Sequence, residues 1–254
     1  MKRLAFCFYG QVRFIEGLNL FFKHFKEVNK DFKVDFFIST WRDFDISKIN
    51  LIFNKSEYLD YESTTKGWRQ GNTRKMSYLM QRTVKLKQNY ELKNNIKYDT
   101  VVILRPDIIF DIERFTDIAN KFNSIEHDKP TVLTTEGIEI DEGKYIIRED
   151  WIYLLTSEAA NIHAGMHDFF FVDMAYRNYR TPYREGGHWI HSYFFLHNNF
   201  KTIVGKFPNV LIRPLRDLEV IKKEYNKSTL IKSVIRNLNK IQNGSDRTIK
   251  DRVI

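Results

Sequence analysis

Three short segments of this chain are predominantly apolar and rich in β-formers, and they restrict its fold more than any other feature. Leu4 to Tyr9, Val34 to Thr40 and Thr100 to Leu104 are rich in β-branched, aliphatic and aromatic residues. They lack the clean apolar–polar alternation of a half-solvated strand. A strand of that kind is buried on both faces, which is the condition of a parallel sheet covered by helices on each side. Between the first two runs stands Gly10, followed by apolar residues at helical spacing from Phe14 to Phe25. Strand, glycine turn, helix and strand make a βαβ unit.

The rest of the chain continues in that idiom. An irregular stretch from Arg42 to Gly71 contains a third strand near Tyr58 to Tyr61. Thr73 to Asn94 carries Met76, Leu79, Met80, Val84 and Leu86 on one stripe and is expected to be a long helix leading into Thr100 to Leu104. Pro106 ends that strand, since proline cannot donate to the ladder. Further on, a helix is expected over Phe115 to Phe122 and a strand over Thr131 to Thr135. After a loop at Asp141 to Gly143, Tyr145 to Ile147 and Trp151 to Leu155 are extended. A helix opens at Ser157, another covers Glu185 to Asn198, and Val210 to Ile212 is a last strand. The expected class is α/β, with residues 1–215 forming one domain and residues 216–254 a basic amphipathic helical tail.

Charge decides between classes of partner only once it is located. The net charge is +9, but nine lysines and arginines against three acidic residues beyond Val220 supply +6 of it. The body is nearly balanced, so no nucleic-acid partner is expected. On the tail, Leu230, Ile231, Val234, Ile235, Leu238 and Ile241 share a face, with Lys232, Arg236 and Lys240 among the polar positions. Such a helix either docks on the body or adsorbs to an anionic membrane surface. The single cysteine, Cys7, excludes an intrachain disulfide and points to a reducing compartment. No run approaches the roughly 20 apolar residues of a membrane span. The expected location is cytoplasmic, with contact at the inner membrane surface left open through the tail.

Arg105 and Asp107 stand two residues apart at a strand end, where ligands bind in α/β folds. The plain reading of the pair is a surface arginine and a turn-forming aspartate. The block Tyr98 to Phe110 (Tyr-Asp-Thr-Val-Val-Ile-Leu-Arg-Pro-Asp-Ile-Ile-Phe) nonetheless resembles GT-A type glycosyltransferases, where a buried strand runs into the acidic motif that holds the metal and the donor diphosphate. It is similar in particular to small transferases of microbial and viral surface-glycan pathways in which Arg-x-Asp replaces Asp-x-Asp. Phe8 to Arg13 resembles their glycine-turn nucleotide loop, Val34 to Trp41 their second strand, and Asp150 to Ser157 their acceptor-side strand. The likeness covers most of residues 1–214 and rests on pattern and order.

The resemblance implies a GT-A-like, mixed and mainly parallel sheet, a nucleotide-sugar donor, and a glycan or lipid-linked acceptor. It places Gly10, Arg13, Arg105 and Asp107 at the donor, with Arg74 and Arg82 as weaker additions. Asp107 is a candidate ligand for Mn or Mg, with His188 in support, while Arg105 in place of a second carboxylate puts metal dependence in doubt. An arginine fork can itself hold a phosphate. The base that takes the acceptor proton is assigned to Asp150 first and Glu185 second. Glu185, His188 and His191 also recur at i, i+3 and i+6, a spacing compatible with a metal but equally with a half-buried helix. Two other functions stay open at this point. Asp107 with Glu142 and Lys144 mimics a Mg-dependent nuclease site, and a noncatalytic nucleotide-sugar binding module would keep the fold without the chemistry.

Overall fold

The computed structural model describes residues 1–12, 18–19, 22, 25–26, 29–42, 53–68, 72–110, 112–141, 144–147, 152–173, 187–205 and 209–211. The proposed tail lies outside them. Seven strands form the central sheet: β1 (Lys2–Tyr9), β2 (Phe32–Trp41), β3 (Lys55–Leu59), β4 (Thr100–Leu104), β6 (Thr131–Thr134), β9 (Ile152–Leu155) and β10 (Lys201–Val204). Their order is β10-β6-β9-β4-β1-β2-β3. β1 is parallel to both β2 and β4, β2 to β3, and β6 to β10, while β9 alone runs antiparallel to its neighbours β4 and β6. The expected mixed, mainly parallel α/β sheet is therefore present.

The period of two along β1 and β2 sorts their side chains onto two apolar faces. Phe6 and Phe36 point to one side, where Phe6 stacks on Phe36 at 5.5 Å and meets Phe25 edge-on at 5.1 Å and Phe115 at 5.7 Å. Leu18, Phe22 and Phe25, spaced at helical intervals and all buried, cover this face together with the helix Ile112–Ser124. Ala5, Cys7, Tyr9 and Phe37 point the other way. They pack with Leu79, Met80 and Val84 of the long helix Asn72–Asn94 and with Ala159 and Ala160 of the helix Ser157–His163. Both faces are buried beneath helices, as the predominantly apolar runs require.

Local chemistry fixes where elements begin and end. Thr156 caps the helix Ser157–His163 by accepting from the Ala159 N–H at 3.2 Å, and Asp60 caps Tyr61–Thr65 by accepting from the Ser63 N–H at 2.8 Å. Asn95, at φ 49, takes the left-handed turn that closes the long helix. Among the differences from expectation, the third strand is Lys55–Leu59, earlier than the segment near Tyr58 to Tyr61, because it pairs with Phe37 to Trp41 of β2. Gly137–Asp141, to which the sequence reading assigns no strand, is β7 of a hairpin with β8 (Lys144–Ile147), and β10 likewise has no counterpart in the sequence reading. Beyond Pro106 the chain re-forms a short strand, β5 (Ile108–Phe110), antiparallel to β11 (Asn209–Leu211). Among the described residues no helix is long and apolar enough to cross a membrane.

A buried polar cluster lies beneath the long helix. Lys87 is fully buried and donates to Ser157 Oγ at 2.7 Å and Asn161 Oδ1 at 2.9 Å, and it pairs with Glu91 at 2.8 Å. Ser157 Oγ donates to Glu91 at 2.9 Å, as does the Tyr98 N–H at 3.0 Å. This satisfied network ties the long helix to the helix Ser157–His163 at the end of the sheet remote from Gly10.

Candidate functional site at the switch point of the sheet

From β1 the chain moves outward to β2 and β3, then returns along the long helix to place β4 on the opposite side of β1. The strand order therefore reverses between β1 and β4. In such sheets the crevice outside the carboxyl ends of these two strands is where ligands bind. Gly10 closes β1 and the Arg105-Pro106-Asp107 turn closes β4. Phe8 stands level with Leu104 in the ladder, so the two segments emerge side by side.

Gly10 has φ 110, a backbone conformation open to glycine and strained for other residues. Its N–H donates to the Ser39 carbonyl at 3.3 Å. A Cβ there would lie 3.5 Å from the Met76 side chain and 4.0 Å from Pro106 Cδ. Glycine is thus required for the backbone angle, while the space around it is ordinary contact distance. The same distances put the turn after β1 directly against the turn after β4, with Met76 of the long helix beside both.

In the second turn the Ile108 N–H reaches the Arg105 carbonyl at 3.4 Å. The Arg105 guanidinium donates from Nε to Asp107 Oδ1 at 2.9 Å and from Nη2 to Oδ2 at 2.7 Å. This is a side-on bidentate pair, the strongest common geometry between these groups. The Asp107 side chain is 1% exposed and the Arg105 side chain 16%, so Asp107 is the more deeply buried member of the pair.

A hard divalent cation asks for several oxygen ligands, usually with free carboxylate oxygens among them. Here the second acidic position is an arginine, and both oxygens of Asp107 already accept from it. Among the described residues no group of three or more His, Cys, Asp or Glu is arranged to hold a metal. The donor set described at this turn does not fit Mn or Mg.

The two further arginines on the long helix take up other partners. Arg82 donates from Nε to Glu57 Oε2 at 2.8 Å and from Nη2 to Glu57 Oε1. Its pKa is raised, first by that hydrogen bond. Ser39 Oγ also donates to Glu57, at 3.4 Å. Arg82 is thus paired with a residue of β3, two strands from β1. Arg74 lies over the Trp68 ring at 4.6 Å and near Phe171 at 5.8 Å. Sequence reasoning singles out neither Glu57 nor Trp68. Glu57 sits in a strand with no special motif, and only the fold brings it across from Arg82.

Two buried histidine sites flank this region. Ser77 Oγ reaches the Arg74 carbonyl at 2.9 Å and lies 3.1 Å from His167 Nδ1. Burial, above all, lowers the His167 pKa to about 4. His163 Nε2 and His191 Nδ1 share one hydrogen bond of 2.9 Å inside a cage of Tyr153, Phe194 and Phe195. Burial lowers the His163 pKa well below 6.5, and the neighbouring imidazole adds to the effect. His191 is therefore a core residue bonded to His163.

Of the residues assigned from sequence, Gly10, Arg105 and Asp107 come together at the switch point, and Arg82 is paired with Glu57, which Ser39 links to the Gly10 turn. Arg13, Asp150, Glu185 and Glu142 lie outside the described residues, as do the side chains of His188 and Lys144. Lys144 is known by its backbone, which pairs with Asp141 in the β7–β8 hairpin. No protein-family model matches the chain, and no curated protein matches it.

Proposed function

We propose that this chain is a GT-A type glycosyltransferase, moving a sugar from a nucleotide-sugar donor to a hydroxyl of a glycan or lipid-linked acceptor. The observation that carries the reading is the adjacency of the Gly10 turn and the Arg105-Pro106-Asp107 turn at the topological switch point. Gly10 lets the backbone approach a nucleotide closely. Arg105 presents positive charge where the diphosphate would gain negative charge as the glycosidic bond breaks. A fixed cation of this kind needs no reorganisation at the moment of reaction. Arg13, close after Gly10 in the sequence, is a further candidate for the phosphates.

Transfer also requires that the attacking hydroxyl lose a proton, and Asp150 and then Glu185 are the proposed bases. The ordered blocks of sequence support the same assignment. A thermal-shift panel of nucleoside diphosphates tests the reading: at least one should raise Tm, and Gly10→Ala should weaken that response. No stabilisation by any of them would overturn it. The base is tested separately, since Asp150→Asn should abolish transfer while leaving nucleotide stabilisation intact.

A further inference from the structure

Most exposed large apolar side chains of the described residues, such as Leu92 and Val172, stand singly and call for no explanation. Ile138 and Ile140 stand together on β7, 44% and 52% exposed. Among the described residues β7 pairs with β8 alone. β8 is the inner strand of the hairpin: Ile147 is buried, and its N–H donates to Ser192 Oγ of the helix Gly187–His197 at 2.8 Å. β7 is therefore the outer one. It is also acidic, since the segment Glu136 to Gly143 contains Glu136, Glu139, Asp141 and Glu142 and no basic residue. Such an edge disfavours pairing with the β7 of a second copy and repels anionic lipid.

The same chain carries the complement. Residues 230–241 include Lys232, Arg236 and Lys240 and no acidic residue, and at a helical period their leucines, isoleucines and valine fall on one side. Reach is sufficient. β4 and β6 both run antiparallel to β9, which lies between them, so they leave the sheet at the same end. β5, which holds β11, follows β4, and β7 follows β6. The two points of departure are two strand spacings apart, about 10 Å, and residues 212–229 can span up to about 60 Å. We infer that residues 230–241 dock as an amphipathic helix against β7 of the same chain, covering Ile138 and Ile140 and setting their basic residues against its carboxylates. Tethering raises the effective concentration of the segment at the hairpin, so a small apolar contact suffices to hold it. The docking is independent of the reaction assigned to the switch point.

Hydrogen–deuterium exchange of the full-length chain, read by mass spectrometry in the absence of lipid, tests it. A helix this short is marginal in water on its own, so slowed exchange over residues 230–241 reports a surface that holds them. In the double variant Ile138→Asp with Ile140→Asp that exchange should quicken by about tenfold or more. Both isoleucines are exposed, so the body should stay folded. Val234→Asp with Leu238→Asp should have the same effect from the other side of the contact.

Carbodiimide coupling of carboxylates to amines in the wild-type chain needs no variant. Glu136 or Glu139, both exposed, should join Lys232 or Lys240. Mixing isotopically labelled with unlabelled protein should show the joined residues to belong to one chain. Equal exchange of residues 230–241 in the wild type and the hairpin variant would overturn the inference. So would the absence of these coupled products, or their formation only between labelled and unlabelled copies. Exchange slowed only when phosphatidylserine vesicles are added would overturn it as well and assign the segment to a membrane surface.

Discussion

Replacing Lys87 with methionine keeps most of the side-chain volume and deletes an ammonium that is entirely enclosed. Three partners lose a donor: Ser157, Asn161 and Glu91, at 2.7, 2.9 and 2.8 Å. Glu91 is the expensive one. Its side chain is 11% exposed, and without Lys87 it keeps the Ser157 hydroxyl and the Tyr98 N–H as hydrogen-bond donors but has lost its countercharge. Breaking a buried pair from one side costs about 3–5 kcal/mol. The volume is conserved, so little cavity penalty is added. For a chain of this size, about 2–4 °C per kcal/mol converts the loss to a Tm drop of roughly 6–20 °C.

Thermal and urea melts followed by circular dichroism measure it, and the double variant Lys87→Met with Glu91→Gln checks the cause. Removing the orphaned charge should recover part of the loss, a coupling of about 1–3 kcal/mol. The Tm increment given by a nucleoside diphosphate should be unchanged, because the cluster sits at the far end of the sheet from Gly10. A single variant within about 1 kcal/mol of wild type, or strict additivity in the double variant, would refute the reasoning.

Gly10→Ala forces a Cβ onto a residue at φ 110, where the neighbours stand off at 3.5 Å, so the cost is backbone strain of about 1–3 kcal/mol rather than collision; stability equal to wild type in denaturant melts contradicts the assigned angle. Cys7 is buried with its thiol pKa pushed up to about 12, chiefly by desolvation, so a thiol reagent at about pH 8 should label it only on unfolding. Rapid labelling of the folded chain would contradict its burial. His167 is held neutral with a pKa of about 4 against 6.5 when unfolded, so its contribution is fully present above pH 6.5 and lost as pH falls toward 4. His163 acts in the same direction. The Tm should therefore decline from about pH 7 to about pH 5, and less steeply in His167→Asn; equal slopes would count against this origin.

Sequence is most informative where burial dictates composition. Thr100–Leu104 can be delimited to the residue, because a strand dry on both faces has no polar position to blur its edges and Pro106 stops it. Elsewhere the expected helices and strands differ by a few residues from those observed, as with Lys55–Leu59, where pairing with β2 rather than local propensity sets the register. At the site, strand order is the missing information. The motifs at Gly10 and Arg105 can be found individually, but that they touch follows only from β4 lying next to β1. Similarly, Arg82 read alone is a candidate phosphate ligand, and Glu57 claims it through a contact between residues far apart in sequence. Arg105 and Asp107 are visible as a pair, whereas the fork that makes one the buried brace of the other is a matter of geometry.

The most direct measurement is a crystal structure of the full chain with a nucleoside diphosphate bound in EDTA. The phosphates should lie beside Gly10 with their oxygens within hydrogen-bond reach of the Arg105 guanidinium, and Asp107 should still be braced against it. A nucleotide bound away from the carboxyl ends of β1 and β4, or none bound at saturating concentration, would contradict a diphosphate site at the switch point.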